Sequence, residues 1–318
     1  MSPDQLTYLV FGGVLLVAIT LDLGLLSKRS AEVSIKKALL QTLFWVALAF
    51  AFFGFLWWKE GNVTALEYLS AYLMEWSLSI DNIFVFILIF TYFKIHSDHI
   101  ARALLIGILM AIVLRVIFIT VGVVLVEKFD WILYGFGVFL IYTGIKIFTV
   151  SEKESFNPAT NPVYRLLNKV FPIHHDDVSG KFSVIRDGKR FFTNMFVVIV
   201  LLATTDVVFA LDSIPAVFAI SQDRLVIYTS NIFAVLGLRS LFFLLRGAVA
   251  KFEYLQQGIA IVLIFIGAKM LAEHWLERLF DKNELVLISL GVIVLCLGGA
   301  ILYSLLRSKS KAAGNEPA

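Results

Sequence analysis

Two acidic motifs stand inside long apolar stretches of the chain. The first begins at residue 75 and reads EWSLSIDNIFVF, and the second begins at residue 206 and reads DVVFALDSIPAVF. Both place an acid, a second acid six residues later, and then a small polar residue. The candidate site residues are Glu75, Asp81, Asn82, Asp206, Asp212 and Ser213. An ionised carboxylate at the centre of a bilayer costs about 2.5–3.5 kcal/mol, so four such acids need a compensating interaction.

The spacing within each motif decides which oxygen atoms can meet. Glu75 and Asn82 are seven residues apart, as are Asp206 and Ser213, so each pair shares one face of a helix. The second acid of each motif lies about 100° round the helix from the small polar residue. Two such helices facing one another would bring oxygen ligands together from both sides.

The side-chain donors in these motifs are oxygens, and neither motif contains Cys or His. Oxygen-only sets favour hard divalent cations such as Mn²⁺, Mg²⁺ and Ca²⁺ over Zn²⁺ or Cu⁺. Pro215 cannot donate a hydrogen bond to the carbonyl oxygen of Leu211, which predicts a further backbone ligand beside Asp212. The motifs therefore predict a metal site of a chemical class without fixing the element.

Basic residues in or beside the same apolar runs offer a different use for the acids. Arg115, Arg239, Lys146 and Lys269 could form internal salt bridges with them. Both interpretations can hold, because a basic residue can neutralise the acids while the site is empty and yield to a metal or proton when it fills. The side chain of Lys146 could instead extend to the membrane interface. Asp22 either lines the cation path or lies at that interface.

The elements that carry these residues are predicted membrane spans. Of the 318 residues, 59% are hydrophobic and 16% are charged, with a mean hydropathy of +0.87. A soluble chain has about 25% charged residues, so this composition excludes a soluble enzyme. The predicted spans, each close to the length that a bilayer requires, are 6–26, 37–58, 68–93, 102–126, 131–150, 193–220, 225–245, 257–275 and 285–306. The predicted fold class is an all-α polytopic membrane protein with nine helices.

The distribution of Lys and Arg predicts the orientation of these spans. Of 27 such residues, 19 lie after odd-numbered spans, the C-terminal tail included, and 5 lie in the alternate connections. Because basic residues are retained in the cytoplasm, the N-terminus is predicted outside and the C-terminus inside. Because the positions of the basic residues are explained by the orientation of the spans, the net charge of +3 indicates no nucleic-acid partner.

One long polar connection, roughly 151–190, separates the halves of the chain. Its prolines predict that no helix forms there, and an Asp-Gly pair at 187–188 between β-prone runs predicts a hairpin. The HHDD cluster at 174–177 could bind a metal, although polar residues in a solvated loop more often have no such role. The single cysteine, Cys296, excludes an intrachain disulfide. No cleaved signal peptide is expected at the N-terminus.

Three consecutive spans repeat in order between the halves. Besides the acidic motifs, Leu114-Arg115 matches Leu238-Arg239, and LIYTGIK from residue 140 matches LIFIGAK from residue 263. In the predicted orientation the two triplets are inverted, which is typical of alternating-access transporters with a site near the midplane. The predicted organisation is two N-terminal helices (1–58), a first repeat (68–150), a cytoplasmic connection (151–192), a second repeat (193–275) and a C-terminal helix with its tail (285–318).

With these motifs the chain closely resembles the TerC family of bacterial inner-membrane proteins, and most of all its Alx branch. Supporting stretches are FDWILY from residue 129, TSNIFA from residue 229 and FIGAKML from residue 265. The resemblance extends over about residues 10–306. It implies Mn²⁺ export from the cytoplasm, with links in related members to tellurite resistance and metal homeostasis. It also carries the family's acidic site onto the six motif residues.

The predicted function is a secondary transporter that exports a hard divalent cation, foremost Mn²⁺, with protons as the candidate coupling ion. The metal is the transported substrate, no bound cofactor or enzymatic reaction is expected, and homo-oligomerisation is left open. Three alternatives remain: transport of Ca²⁺, an intramembrane hydrolase with paired aspartates, and a non-transporting scaffold or redox modulator. The absence of a Gly-x-Gly-Asp stretch around either second acid argues against the hydrolase.

Overall fold

The computed structural model of the chain is almost entirely α-helical. Within the described residues, seven helices are long and apolar enough to cross a bilayer, and the number is eight if a bent pair of helices counts as one span. The structure describes residues 9, 11–14, 17, 20, 34–129, 131–149, 161–174, 180–186, 188–246, 254–276 and 278–313. The all-α polytopic class is therefore confirmed. The count of nine and the orientation stay predictions, because the first predicted span lies largely outside the described residues.

The described helices follow the predicted spans. They are α1 (Ile35–Lys59), α2 (Asn62–Tyr92), α3 (Ser97–Lys128), α4 (Trp131–Thr149), α5 (Pro162–Val170), α6 (Asn194–Ile220), α7 (Arg224–Leu236), α8 (Leu238–Leu245), α9 (Leu255–Leu276) and α10 (Lys282–Ala313). Helix α2 begins at Asn62 rather than at 68. Its first turns are too polar to belong to the apolar run that marks the span. Glu67 consequently lies inside the helix.

The predicted span 225–245 is bent rather than straight. Helices α7 and α8 meet at Gly237 with an angle of 41° between them. Glycine is a poor helix former because its backbone loses more conformational freedom than any other residue, and sharp bends occur at such positions. The bend places Arg239 in the first turn of α8, where it is buried. Interrupted helices of this kind line substrate sites in membrane transporters.

The long connection contains a helix, so the prediction that its prolines prevent one was wrong. Pro162 is the first residue of α5. Proline is favoured at this position because the first N–H groups of a helix have no intrahelical partner and its fixed φ suits the helix. The side chain of Asn161 caps the same end by accepting a hydrogen bond from the N–H of Val163 at 2.8 Å.

The hairpin predicted in the same connection is present. Strands β2 (Ser183–Arg186) and β3 (Lys189–Thr193) pair antiparallel, and a short β1 (Ile173–His174) joins the other side of β3 in parallel. Gly188 has φ 72°, the conformation that a tight turn requires and that glycine adopts without strain. The cluster at 174–177 falls almost wholly outside the described residues, so its role stays a prediction.

Helices α4 and α9 pack through glycines that occupy matching positions of the predicted repeat. A Cβ on Gly144 would lie 2.7 Å from the carbonyl oxygen of Ala260, and one on Gly267 would lie 2.6 Å from that of Gly137. In the repeat, Gly144 corresponds to Gly267 and Gly137 corresponds to Ala260. Such reciprocal contacts are what two elements related by a twofold axis make. They support the inverted-repeat interpretation.

This close approach predicts the cost of adding one methyl group. Gly144→Ala should lower the stability by about 1–3 kcal/mol, because its Cβ would also lie 2.6 Å from Cγ1 of Ile264 in a packed interface. Thermal unfolding in detergent measures this loss. Gly135→Ala is the matched control on the same helix, since no heavy atom lies within 4 Å of its Cβ. Equal unfolding temperatures for the two variants would contradict the prediction.

Candidate cation site

Two of the four predicted acids, Glu75 and Asp206, come together with Arg115 in the buried centre of the molecule. Arg115, in α3, is 2% exposed and lies between Glu75 of α2 and Asp206 of α6. Its Nη1 donates to Oε2 of Glu75 at 2.5 Å, and its Nη2 donates to Oδ1 of Asp206 at 3.2 Å. Nε also donates to Oδ2 of Asp206, at 3.4 Å. One guanidinium therefore binds both repeat-related acids.

Two side-chain amides extend this cluster to further helices. Oδ1 of Asn231, in α7, accepts a hydrogen bond from Nη1 of Arg115 at 3.0 Å. Nδ2 of Asn82, in α2, donates to Oδ1 of Asp206 at 3.4 Å. The planar fork of the Arg115 guanidinium suits this arrangement because it presents several donors in fixed directions. The cluster joins α2, α3, α6 and α7, and its three charged residues carry a formal charge of −1.

Several buried oxygen atoms around the cluster have unused bonding capacity. Those without a hydrogen-bond partner in the described part of the chain are Oε1 of Glu75, Oγ of Ser79, Oδ1 of Asn82, Oγ1 of Thr205 and Oγ of Ser213. A buried polar atom left unsatisfied costs about 1–3 kcal/mol. The five atoms lie on α2 and α6, and oxygen atoms are the ligands that hard divalent cations prefer.

The geometry of α2 explains how these donors share one side. Glu75, Ser79 and Asn82 are spaced i, i+4 and i+7, which places them on a single helix face. On α6, Thr205 stands next to Asp206, and Ser213 follows seven residues after that acid. The described residues contain no group of three or more His, Cys, Asp or Glu side chains that could hold a metal. The described donors are consequently two carboxylates with hydroxyl and amide oxygens.

The remaining predicted residues have different positions. Asp81 and Asp212 lie within α2 and α6, but their side chains are outside the described part of the structure, as is all of Asp22. Lys146 has an exposed side chain in the last turn of α4, which agrees with the interfacial alternative. Leu211 is half-exposed on α6, and the proposed role of its carbonyl oxygen stays a prediction. Lys269, on α9, lies within Coulombic range of Glu67.

Three residues of the site were missed by the motif comparison. Ser79 and Thr205 differ in type from their counterparts in the other motif, so the repeat does not mark them. Asn231 corresponds to Gly107 in the first repeat, so the comparison of the repeats does not mark it either. The helical spacing from Glu75 to Ser79 is the signal that would have found the first of them.

A narrow apolar crevice reaches the site from one direction. It touches Asp206 and is lined chiefly by Phe86, Leu104, Leu202 and Leu238. In the predicted orientation these residues lie on the cytoplasmic side of Asp206, because α3 enters from that side and α6 starts there. Apart from Asp206, the residues that line the crevice are apolar.

The fold and the buried cluster define a polytopic helical membrane protein with a charged centre. The sequence profile described as "Integral membrane protein TerC family" matches residues 60–312, so the chain belongs to this family. It is 40% identical to the uncharacterized membrane protein STKORF319 of Myxococcus xanthus, over 94% of this chain and 92% of that protein. It is also 40% identical to a protein of Escherichia coli K12 named "Putative membrane-bound redox modulator Alx", over 83% and 86% of the respective chains. No solved structure matches.

The donor set around Arg115 predicts a difference between two neighbouring serines. Ser79→Ala should lower the affinity for a divalent cation about tenfold or more, because it removes an unpaired oxygen beside Glu75. Ser77→Ala is the matched control, since Oγ of Ser77 already donates to the carbonyl oxygen of Leu73 at 2.9 Å. Titration of the purified variants with Mn²⁺, followed by thermal unfolding, measures both affinities. Equal affinities would remove Ser79 from the site.

Proposed function

We propose that this protein is a secondary transporter that exports a hard divalent cation, foremost Mn²⁺, through the site formed by α2 and α6. The observation that carries the proposal is the buried cluster of Glu75, Arg115 and Asp206, together with the unpaired buried oxygen atoms on the same helices α2 and α6. Burying three charges for structure alone is expensive, since apolar packing replaces such clusters at equal or lower cost. Inward-facing ionisable residues of membrane helices instead mark ion pathways.

In this proposal Arg115 is an internal substitute for the transported cation. Its guanidinium contacts the same two carboxylates that would ligate a metal, so arginine and metal compete for them. When a divalent cation or protons bind, the salt bridges open and the helices are free to rearrange. Retention of both transport and its pH dependence in Arg115→Gln and Arg239→Gln would contradict this coupling.

The choice of Mn²⁺ and of export follows from the TerC resemblance, because the inverted repeat by itself fixes no direction. Ca²⁺ remains the alternative substrate with the same ligand chemistry. The name of the Escherichia coli relative suggests redox modulation as a second function. This chain has one cysteine, so a thiol–disulfide reaction would need a second thiol from another molecule. Neither an enzymatic reaction nor a bound cofactor is part of the proposal.

Flux measurements in sealed proteoliposomes test the proposal directly. The wild-type protein should move Mn²⁺ down an imposed gradient, and parallel assays with Ca²⁺ and Mg²⁺ define the selectivity. Asp81→Asn and Asp212→Asn should insert normally and fail to transport. A wild-type protein that moves no divalent cation under any gradient would contradict transport and favour a scaffold role.

A further inference from the structure

A third buried carboxylate, that of Glu67, lies toward the end of α2 that is opposite to the apolar crevice. Glu67 is 3% exposed and precedes Glu75 by eight residues on the same helix. Its Oε2 accepts a hydrogen bond at 2.5 Å from Oγ of Ser221, the residue that follows α6. Its Oε1 lies 3.0 Å from Nζ of Lys282, the first residue of α10. One side chain thus connects the ends of three helices.

The two charged partners in this contact are unequally solvated. The Glu67 side chain is 4% exposed, whereas that of Lys282 is 74% exposed. Lys282 can therefore leave the carboxylate and remain hydrated, while Glu67 would be left buried without its partner. Lys269 of α9 lies within Coulombic range of Glu67, and also of Glu273 and Lys282. The contact joins α2, the end of α6 and α10, and its basic partner, Lys282, is the solvent-exposed one.

This ionic contact has no counterpart at the other end of the repeat. The offset that relates Glu75 to Asp206 pairs Glu67 with Val198 and pairs Ser221 with Phe90. Both counterparts are buried and apolar. A contact needed only for packing would be apolar at both ends, since that costs less than a buried charge. A polar contact that occurs at only one of the two repeat-related ends points to a role specific to that side of the membrane.

We propose that Glu67, Ser221 and Lys282 form the outer gate of the transport pathway. The inference rests on the proposed function and on the predicted orientation, which places the start of α2 outside. Closed, the gate holds the outer ends of α2, α6 and α10 together above the Glu75–Arg115–Asp206 cluster. Opening withdraws Lys282, and the Glu67 carboxylate becomes the first acidic ligand that a departing divalent cation meets on the outer side.

A cysteine placed between gate and site reports on opening. Ala71 is fully buried and lies at i+4 from Glu67 and i−4 from Glu75, on the helix face that joins them. In a Cys296→Ser background, Ala71→Cys should react slowly with a membrane-impermeant methanethiosulfonate added outside. Lys282→Gln should raise that rate about fivefold, the ratio that corresponds to ~1 kcal/mol for a solvent-exposed partner. Glu67→Gln should do the same.

Arg224→Gln is the matched control, because it removes another outer ion pair, in which Arg224 contacts Glu127 at 2.5 Å and both side chains are exposed. Equal labelling in Lys282→Gln and Arg224→Gln would overturn the gate. If Ala71→Cys fails to insert, Ser70→Cys, also fully buried, serves as the reporter.

Mn²⁺ flux in the same variants separates the two proposals. Faster labelling without any divalent flux supports the gate and contradicts transport, whereas flux with unchanged labelling does the reverse.

Discussion

Glu75→Gln is expected to abolish divalent-cation flux while leaving the protein folded. The substitution keeps the side-chain volume but removes one of the two carboxylates that contact Arg115. The formal charge of the three-residue cluster then changes from −1 to zero, so its cost of burial falls. We expect Mn²⁺ flux in proteoliposomes to drop about 100-fold or more, as for loss of a direct metal ligand. The unfolding temperature should equal or exceed that of the wild type.

The combination of lost transport and retained stability separates a functional site from a structural one. If the salt bridge between Glu75 and Arg115 only held helices together, the same variant would lose stability and keep its transport. Glu127→Gln is the matched control, because Glu127 is an exposed acid at the end of α3 that contacts Arg224. It should leave Mn²⁺ flux unchanged. Flux in Glu75→Gln at the level of Glu127→Gln would remove Glu75 from the site.

Much of the fold was predictable because a bilayer imposes simple rules. Apolar runs of about 20 residues cross it, and these runs mark the described spans α1 to α4, α6, α9 and α10. Glu75, Asp206 and Arg115 were predictable for a related reason, since buried charges are rare in such runs. The structure brings these three side chains into direct contact.

The bend at Gly237 and the helix α5 were not predicted, because both depend on local backbone chemistry that hydropathy does not report. A glycine inside an apolar run is compatible with a straight helix or a bent one, and packing decides between them. Pro162 was treated as a helix breaker although its position beside Asn161 makes it a helix start. A hydropathy value is an average over many residues, so it does not report the effect of one glycine or one proline.

The contacts of Glu67 near the start of α2 could not be predicted from the sequence because they join distant parts of the chain. Ser221 follows the end of α6 and Lys282 is the first residue of α10, and each meets Glu67 only through tertiary packing. The predicted start of the span at 68 also left Glu67 outside the helix. A carboxylate next to an apolar run is indistinguishable, in sequence alone, from a residue at the membrane interface.

Arg115→Gln is expected to destabilise the protein strongly and to make its stability depend on a divalent cation. Without the guanidinium, Glu75 and Asp206 are two buried carboxylates with no described counter-charge between them. Removing one partner of a buried charge cluster costs about 3–5 kcal/mol. A divalent cation that binds the same oxygens should restore about 2.7 kcal/mol at 100 times its dissociation constant. Thermal unfolding with and without Mn²⁺ measures both effects.

The rescue by the cation distinguishes competition from mere structural support. If Arg115 and the metal share the same carboxylates, Mn²⁺ should raise the unfolding temperature of Arg115→Gln more than that of the wild type, in which arginine must first be displaced. Arg224→Gln controls for loss of a basic residue, and its exposed ion pair predicts a change below ~1 kcal/mol. An Arg115→Gln variant that Mn²⁺ stabilises no more than it stabilises the wild type would show that the arginine and the cation do not compete for one site.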